Sequence, residues 1–183
     1  MAAVPSSMLS LGTALPKFSL PDTVTNRVVS SDELAGKPIV VAFICNHCPY
    51  VKHIQAGLAE FGRYCQQNGV NMVAISSNDI RSYPDDAPDR MAAEARRGGF
   101  VFPYLYDESQ DVAKAFHAAC TPDLYLFDLH RKLVYRGQFD DSRPGNKKPV
   151  TGADLRHAVD AVLAGGKPTL DQRPSIGCNI KWR

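Results

Sequence analysis

The chain has 183 residues, 44% apolar and 22% charged, an ordinary balance for a folded domain with a real core. Its 21 basic and 19 acidic residues leave a net charge of +2, which gives no case for a nucleic-acid or membrane-surface partner. No apolar run reaches the roughly 18 residues of a membrane-spanning helix. Residues 1–16 lack the basic and continuous apolar regions of a secretory signal, so a cytoplasmic address is expected. Five cysteines, an odd number in a chain of this size, read in a reducing compartment as catalytic or buried thiols rather than structural disulfides.

In chain order, residues 1–16 read as a loosely held N-terminal arm. Phe18-Ser19-Leu20 and Val28-Val29 flank turn formers and predict a short hairpin, followed by a helical turn at Ser31–Leu34 that Gly36 ends. Residues 38–44 are continuously apolar, as in a strand covered on both faces. Val51, Ile54, Leu58 and Phe61 recur at helical spacing between Pro49 and Asn68, where Asn68-Gly69 stops the helix. Val70–Ser76 predicts a second buried strand, 77–89 a polar loop, 89–97 a helix and Phe100–Phe102 a short strand. Asp107–His117 predicts a helix with Val112 and Phe116 inward. Leu124–Phe127 and Lys132–Phe139 form a hairpin. After a polar loop, Thr151 caps a last helix to about Ala164. The tail, 165–183, has little periodicity and reads as a loop packed on the domain. The order is a β-α-β unit, an inserted helix, then β-β-α, with parallel strands in the first half. The domain proper is 17–164.

The chemistry concentrates at Cys45-Asn46-His47-Cys48-Pro49, directly after the first core strand. A strand that stops at Cys-x-x-Cys and continues as a helix puts two thiols at a helix N-terminus, where the dipole and free N–H groups favour an anion. The thiolate is the reactive form of cysteine, so this position makes a nucleophile. His47, between the cysteines, adds positive charge and favours the Cys45 thiolate, which raises the reduction potential of the pair.

This motif, with Thr121-Pro122 just before the terminal hairpin, resembles the thioredoxin-like superfamily. The closer resemblance is to its branch of peroxiredoxin-like and thiol–disulfide-isomerase-like proteins, named after alkyl hydroperoxide reductase and thiol-specific antioxidant. It is carried by Cys45–Lys52, Tyr83–Pro88, Phe102–Asp107, Cys120–Asp123, Phe127-Asp128 and the tail Ser175-Ile176-Gly177-Cys178, and spans about Lys17 to Trp182. It implies a thioredoxin-like α/β fold, a mixed central sheet with helices on both faces and an N-terminal hairpin extension.

The resemblance implies thiol–disulfide exchange. Cys45, at the exposed end of the motif, attacks a substrate disulfide, and the more buried Cys48 resolves the mixed disulfide. Pro122 corresponds to the superfamily's cis-proline, which holds the Thr121 backbone beside the dithiol, where a substrate strand pairs. The substrate is a protein or small-molecule disulfide and the electron donor a thiol. The dithiol is its own redox centre, so no cofactor or metal is required. Cys120, two residues before Pro122, and Cys178, in the tail, are candidate additional redox thiols, whereas Cys65 reads as buried packing.

Two departures narrow this reading. Thioredoxin has a buried aspartate six residues before its first cysteine and a tryptophan just before the motif; here these positions are Ile39 and Ile44. The base that deprotonates Cys48 must come from elsewhere. Typical peroxiredoxins keep a threonine three residues before the peroxidatic cysteine and a proline four residues further upstream. Aligning that cysteine with Cys48 puts Cys45 and Val41 there. A thiol peroxidase is therefore the alternative enzyme. A third reading is a redox sensor or metal-handling protein, with Cys45, His47, Cys48 and His53 as a conceivable ligand set.

Overall fold

The computed structural model describes residues 3–183. Two residues of the N-terminal arm, 1 and 2, lie outside it. The rest of the arm is strapped down rather than loose. Strand β1 (Ala3–Pro5) pairs with a strand of the tail, Gly12 N–H donates to Leu133, Leu15 N–H donates to Arg131, and Leu15 is buried. Backbone groups that find a partner outlast what a short polar sequence suggests.

Strands β2 (Ser19–Pro21) and β3 (Val28–Ser30) form the hairpin expected from their flanking turn residues. Strand β4 (Ile39–Phe43) is buried at every position. Helix α1 (Pro49–Gln67) begins with proline at its first position, where a missing N–H costs nothing. It stops at Asn68, with Gly69 at φ 70°. Then come β5 (Asn71–Ser76), a 3₁₀ turn at Pro84–Asp86, and α2 (Pro88–Gly98), which ends on left-handed Gly99.

Strand β6 is Tyr104–Tyr106, so the strand expected at Phe100–Phe102 lies four residues later. Only from Tyr104 onward is the chain paired on both sides. Its N–H donates to the buried Asp22 carboxylate and its carbonyl accepts from Thr23 in the hairpin turn, while β5 pairs on the other side. Phe100 and Phe102 instead stack on each other, 4.7 Å between centroids, with the Phe102 ring over Gly62 of α1.

Helix α3 (Asp111–Ala115) is shorter than expected because Gln110 is left-handed; the Asp107 carboxylate accepts from Ala113 N–H in its place. Strands β7 (Cys120–Thr121), β8 (Asp123–Phe127) and β9 (Leu133–Gly137) follow, the last two as the expected hairpin. Helix α4 (Ala153–Leu163) is capped by Gly152, not Thr151, because the Asp140 carboxylate takes the N–H groups of both. The tail forms β10 (Ile176–Asn179), where the sequence suggested only a loop.

The main sheet runs β6-β5-β4-β8-β9, parallel from β4 to β6 and antiparallel at β8 and β9. This is the thioredoxin-like α/β arrangement. Alternate residues of β4 feed two cores. Val40 and Ala42 meet α1, α2 and α4; Ile39, Val41 and Phe43 meet α3 and the arm. Complete burial of a side chain such as Phe43 contributes roughly 1.5–3 kcal/mol. A second sheet, β1-β10-β7, lies beside the first. Among the described residues, no helix is long and apolar enough to cross a membrane.

Candidate active site

The chain leaves the sheet at Ile44, whose N–H still bonds to Ile75, and turns into α1 through the Cys-x-x-Cys segment. Four of the expected site residues converge here. Cys45 Sγ lies 3.4 Å from Thr121 Oγ1 and Cys48 Sγ lies 3.1 Å from the Thr121 carbonyl oxygen. The Thr121–Pro122 bond is cis. A fifth residue joins from the tail: Cys178 Sγ is 3.0 Å from Cys48 Sγ. Cys120 does not join. Its thiol contacts the Pro122 carbonyl, and burial pushes it far above the ordinary thiol range. Cys65 is likewise pushed up to about 12 by burial, away from the site on α1.

Both motif cysteines are buried, Cys45 at 1% and Cys48 at 0% exposure, so Cys45 is not an exposed end. A slot of about 10 Å³ reaches Cys45 between Asn46, Lys52, Glu94 and Phe100, room for about one water. A larger cavity of about 500 Å³, lined by Tyr135, Asp154, His157 and Arg173, contains none of these thiols.

The two thiols act on each other's titration in opposite directions. Cys48 is held down to about 4, first by the bond from Cys45, against the opposing effect of burial, and then by Cys178 and Thr121. The Val51 amide adds a weaker pull without closing a full cap bond. Cys45 is pushed well above the ordinary range, by that same bond, then burial, then the Asp86 carboxylate. The helix-start advantage expected at Cys45 thus falls on Cys48, because Cys48 is the N-cap residue and receives the donors. A protonated Cys48 donates to the Thr121 carbonyl instead, so proton position and partner change together.

His47 is not a free charge beside the pair. Its Nδ1 is 2.7 Å from Asp86 Oδ2, and its ring stacks on Tyr83 at 5.0 Å. Asp86 is fully buried; it also accepts from Asn46 N–H at 2.7 Å and from Asn78 Nδ2 at 2.8 Å. Burial pushes the Asp86 carboxyl up, but the His47 and Asn78 bonds outweigh it and hold it below its ordinary value. Asn46 is fixed further by Tyr104 Oη, which donates to Asn46 Oδ1 at 3.1 Å. The sequence reading missed Asp86. Its signal lay in Tyr83–Pro88, which carried the family resemblance without a role for any single residue.

Cys45, His47 and Asp86 also present ligand atoms within 4.8 Å of one another, a donor set from which a metal ion could be held. His53, placed in such a set by the sequence, bonds Ser142 instead.

Residues 11–136 match the AhpC/TSA family. The chain belongs to that family. As an AhpC/TSA member it sits close to two solved bacterial structures. An uncharacterized conserved protein of Geobacillus kaustophilus is 50% identical over 100% of this chain and 97% of its own, with a TM-score of 0.98. A hypothetical protein of Sinorhizobium meliloti 1021 is 50% identical over 98% of both chains, TM-score 0.95. A thiol:disulfide interchange protein of Chlorobium tepidum shares the fold at 18% identity, covering 84% of this chain and 98% of its own, TM-score 0.65. No curated protein matches the chain. Within the AhpC/TSA family, proteins run thiol-based redox chemistry.

Proposed function

We propose that this protein is a thiol–disulfide oxidoreductase working through Cys45 and Cys48. The observation that carries the reading is the paired thiols at the start of α1, both in contact with Thr121. Cys48, as the thiolate, takes the Cys45 proton and makes Cys45 the nucleophile; the base for Cys48 that the sequence lacked is the departing substrate thiolate. Cys45 attacks a substrate disulfide, one substrate thiolate leaves, and it takes the Cys48 proton. Cys48 then attacks Cys45 Sγ, expels the second thiolate and closes the Cys45–Cys48 disulfide. A thiol donor reverses the sequence, and the steps call on no organic cofactor. Thr121 holds both sulfurs, and Pro122 continues that turn. His47 acts through Asp86 on the electrostatics of Cys45. A reducing, cytoplasmic setting suits a chain that uses its cysteines this way.

Two observations favour thiol peroxidase as the second reading: the anion rests on Cys48, and the slot to Cys45 admits about one water. Insulin-disulfide reduction with dithiothreitol, and peroxide consumption with a thiol donor, separate the two when run on wild type, Cys45→Ser and Cys48→Ser. Disulfide exchange is expected to need both cysteines. Peroxide turnover that survives Cys45→Ser and dies with Cys48→Ser would overturn the leading reading in favour of the second. Stoichiometric zinc in the purified protein would instead point to metal handling.

A further inference from the structure

The edge of Thr121, where the superfamily resemblance places a substrate strand, is already filled by the protein's own tail. In the antiparallel register of β10 on β7, Cys178 stands opposite Thr121 and Asn179 opposite Cys120. On its other side β10 pairs with β1, with Ala3 opposite Cys178. The approach to β7 is so close that a Cβ on Gly177 would stand 1.9 Å from the Thr121 carbonyl oxygen, so only glycine fits there. Both ends of the strand are tied down. Ser175 Oγ donates to the Gly137 carbonyl at 2.6 Å, and Lys181 N–H donates to Asn78 Oδ1 at 2.9 Å. The result is a thiol, 3% exposed, 3.0 Å from Cys48.

We propose that Cys178 is a third redox residue of the site, which takes the disulfide over from Cys45 to form Cys48–Cys178. The inference rests on the reading of Cys45 and Cys48 as an exchanging pair. The step is an internal isomerisation. Cys178, as thiolate, attacks Cys48 Sγ; the Cys48–Cys178 bond forms as the Cys45–Cys48 bond breaks. Cys45 leaves as the thiolate and takes up the proton that Cys178 released. No external oxidant is consumed, and the oxidation state of the protein is unchanged. Cys45, the thiol at the slot, is then free to attack again, while the disulfide ties β10 to the start of α1. Burial raises the Cys178 thiol to about 12, with the Cys48 bond adding to it.

Equilibration of the full chain in mixtures of reduced and oxidised glutathione, followed by acid quenching, alkylation and peptide mapping, tests this directly. The wild type is expected to show two disulfides in exchange: Cys45–Cys48, and a cross-link from the 38–52 fragment to the tail. Fragmentation between Cys45 and Cys48 assigns the latter to Cys48. Cys45–Cys48 alone, at every glutathione ratio, would overturn the role of Cys178 while leaving the proposed function standing. In Cys45→Ser, Cys48 attacks oxidised glutathione and one glutathione thiolate leaves. Cys178 then displaces the second, so the Cys48 adduct is expected to be at least about tenfold shorter-lived than in Cys45→Ser/Cys178→Ser. An adduct that persists equally long in both would contradict the proposal. Cys45→Ala with and without Cys178→Ala repeats the comparison with a different side chain.

Discussion

The residue scale turns on a proton and a carboxylate. Cys48 is held near 4, far below the ordinary thiol value of 9, so unfolding the reduced protein takes up a proton between those values. Stability is therefore expected to rise with pH between about 4 and about 9, and to lose that contribution as pH falls back through this window to 4. Denaturant midpoints measured across this range, with Cys48→Ser as the control for the other titrating groups, check the sign; a wild type with the same pH dependence as the variant would remove the thiolate from Cys48. Asp86 and His47 are expected to act in opposite directions. Asp86→Asn removes an anion that raises Cys45, so the pair becomes more oxidising. His47→Ala leaves Asp86 with one partner fewer, so the pair becomes more reducing. Each change is expected to move the glutathione equilibrium by up to about tenfold, or about 30 mV. A shift of the same sign in both variants would contradict this assignment.

The element that decides access is β10. Because a Cβ on Gly177 meets the Thr121 carbonyl, Gly177→Ala is expected to cost about 1–3 kcal/mol and to loosen β10 from β7. Amide exchange at Cys178 and Asn179 should accelerate, and iodoacetamide should reach Cys48 faster. Unchanged exchange would show that the strand is not held by this contact. The element scale also shows what a sequence can tell. Ile39–Phe43 declared itself by unbroken apolar, β-branched character, and α1 by Pro49 and the spacing of Val51, Ile54, Leu58 and Phe61. Strand β10 did not, since Ile-Gly-Cys-Asn has weak strand character and its partners, Ala3 and Thr121, are remote in sequence. Phe100–Phe102 misled in the reverse direction, because apolar residues that stack over a helix look the same as a strand. Asp86 was invisible for a related reason: a buried carboxylate in a polar run has the sequence signature of a solvated one.

At the scale of the whole molecule, all five thiols are buried, and the dithiol communicates with solvent through a slot of about one water. Native protein is therefore expected to react with a bulky thiol reagent in slow phases, and to expose five thiols at once only in denaturant. Rapid reaction of two thiols in the native state would show an open site. The fold family, the mixed character of the sheet and the Cys45–Cys48–Thr121 cluster were all legible from the sequence, because each shows in the order of the elements or in the motif itself. The closure of that cluster by the two ends of the chain was not, because it arises from pairing between distant, weakly patterned segments. A site closed in this way limits what reaches Cys45 without movement of the tail, and makes the state of the dithiol the quantity to measure. The most direct measurement is the alkylation state of Cys45, Cys48 and Cys178 across a glutathione redox titration. The expected result is that Cys48 is lost together with one partner thiol, Cys45 or Cys178, as one two-electron disulfide that a thiol donor fully restores. Loss of Cys48 while Cys45 and Cys178 both stay alkylatable at every ratio, or no loss of Cys48 at all, would contradict the account.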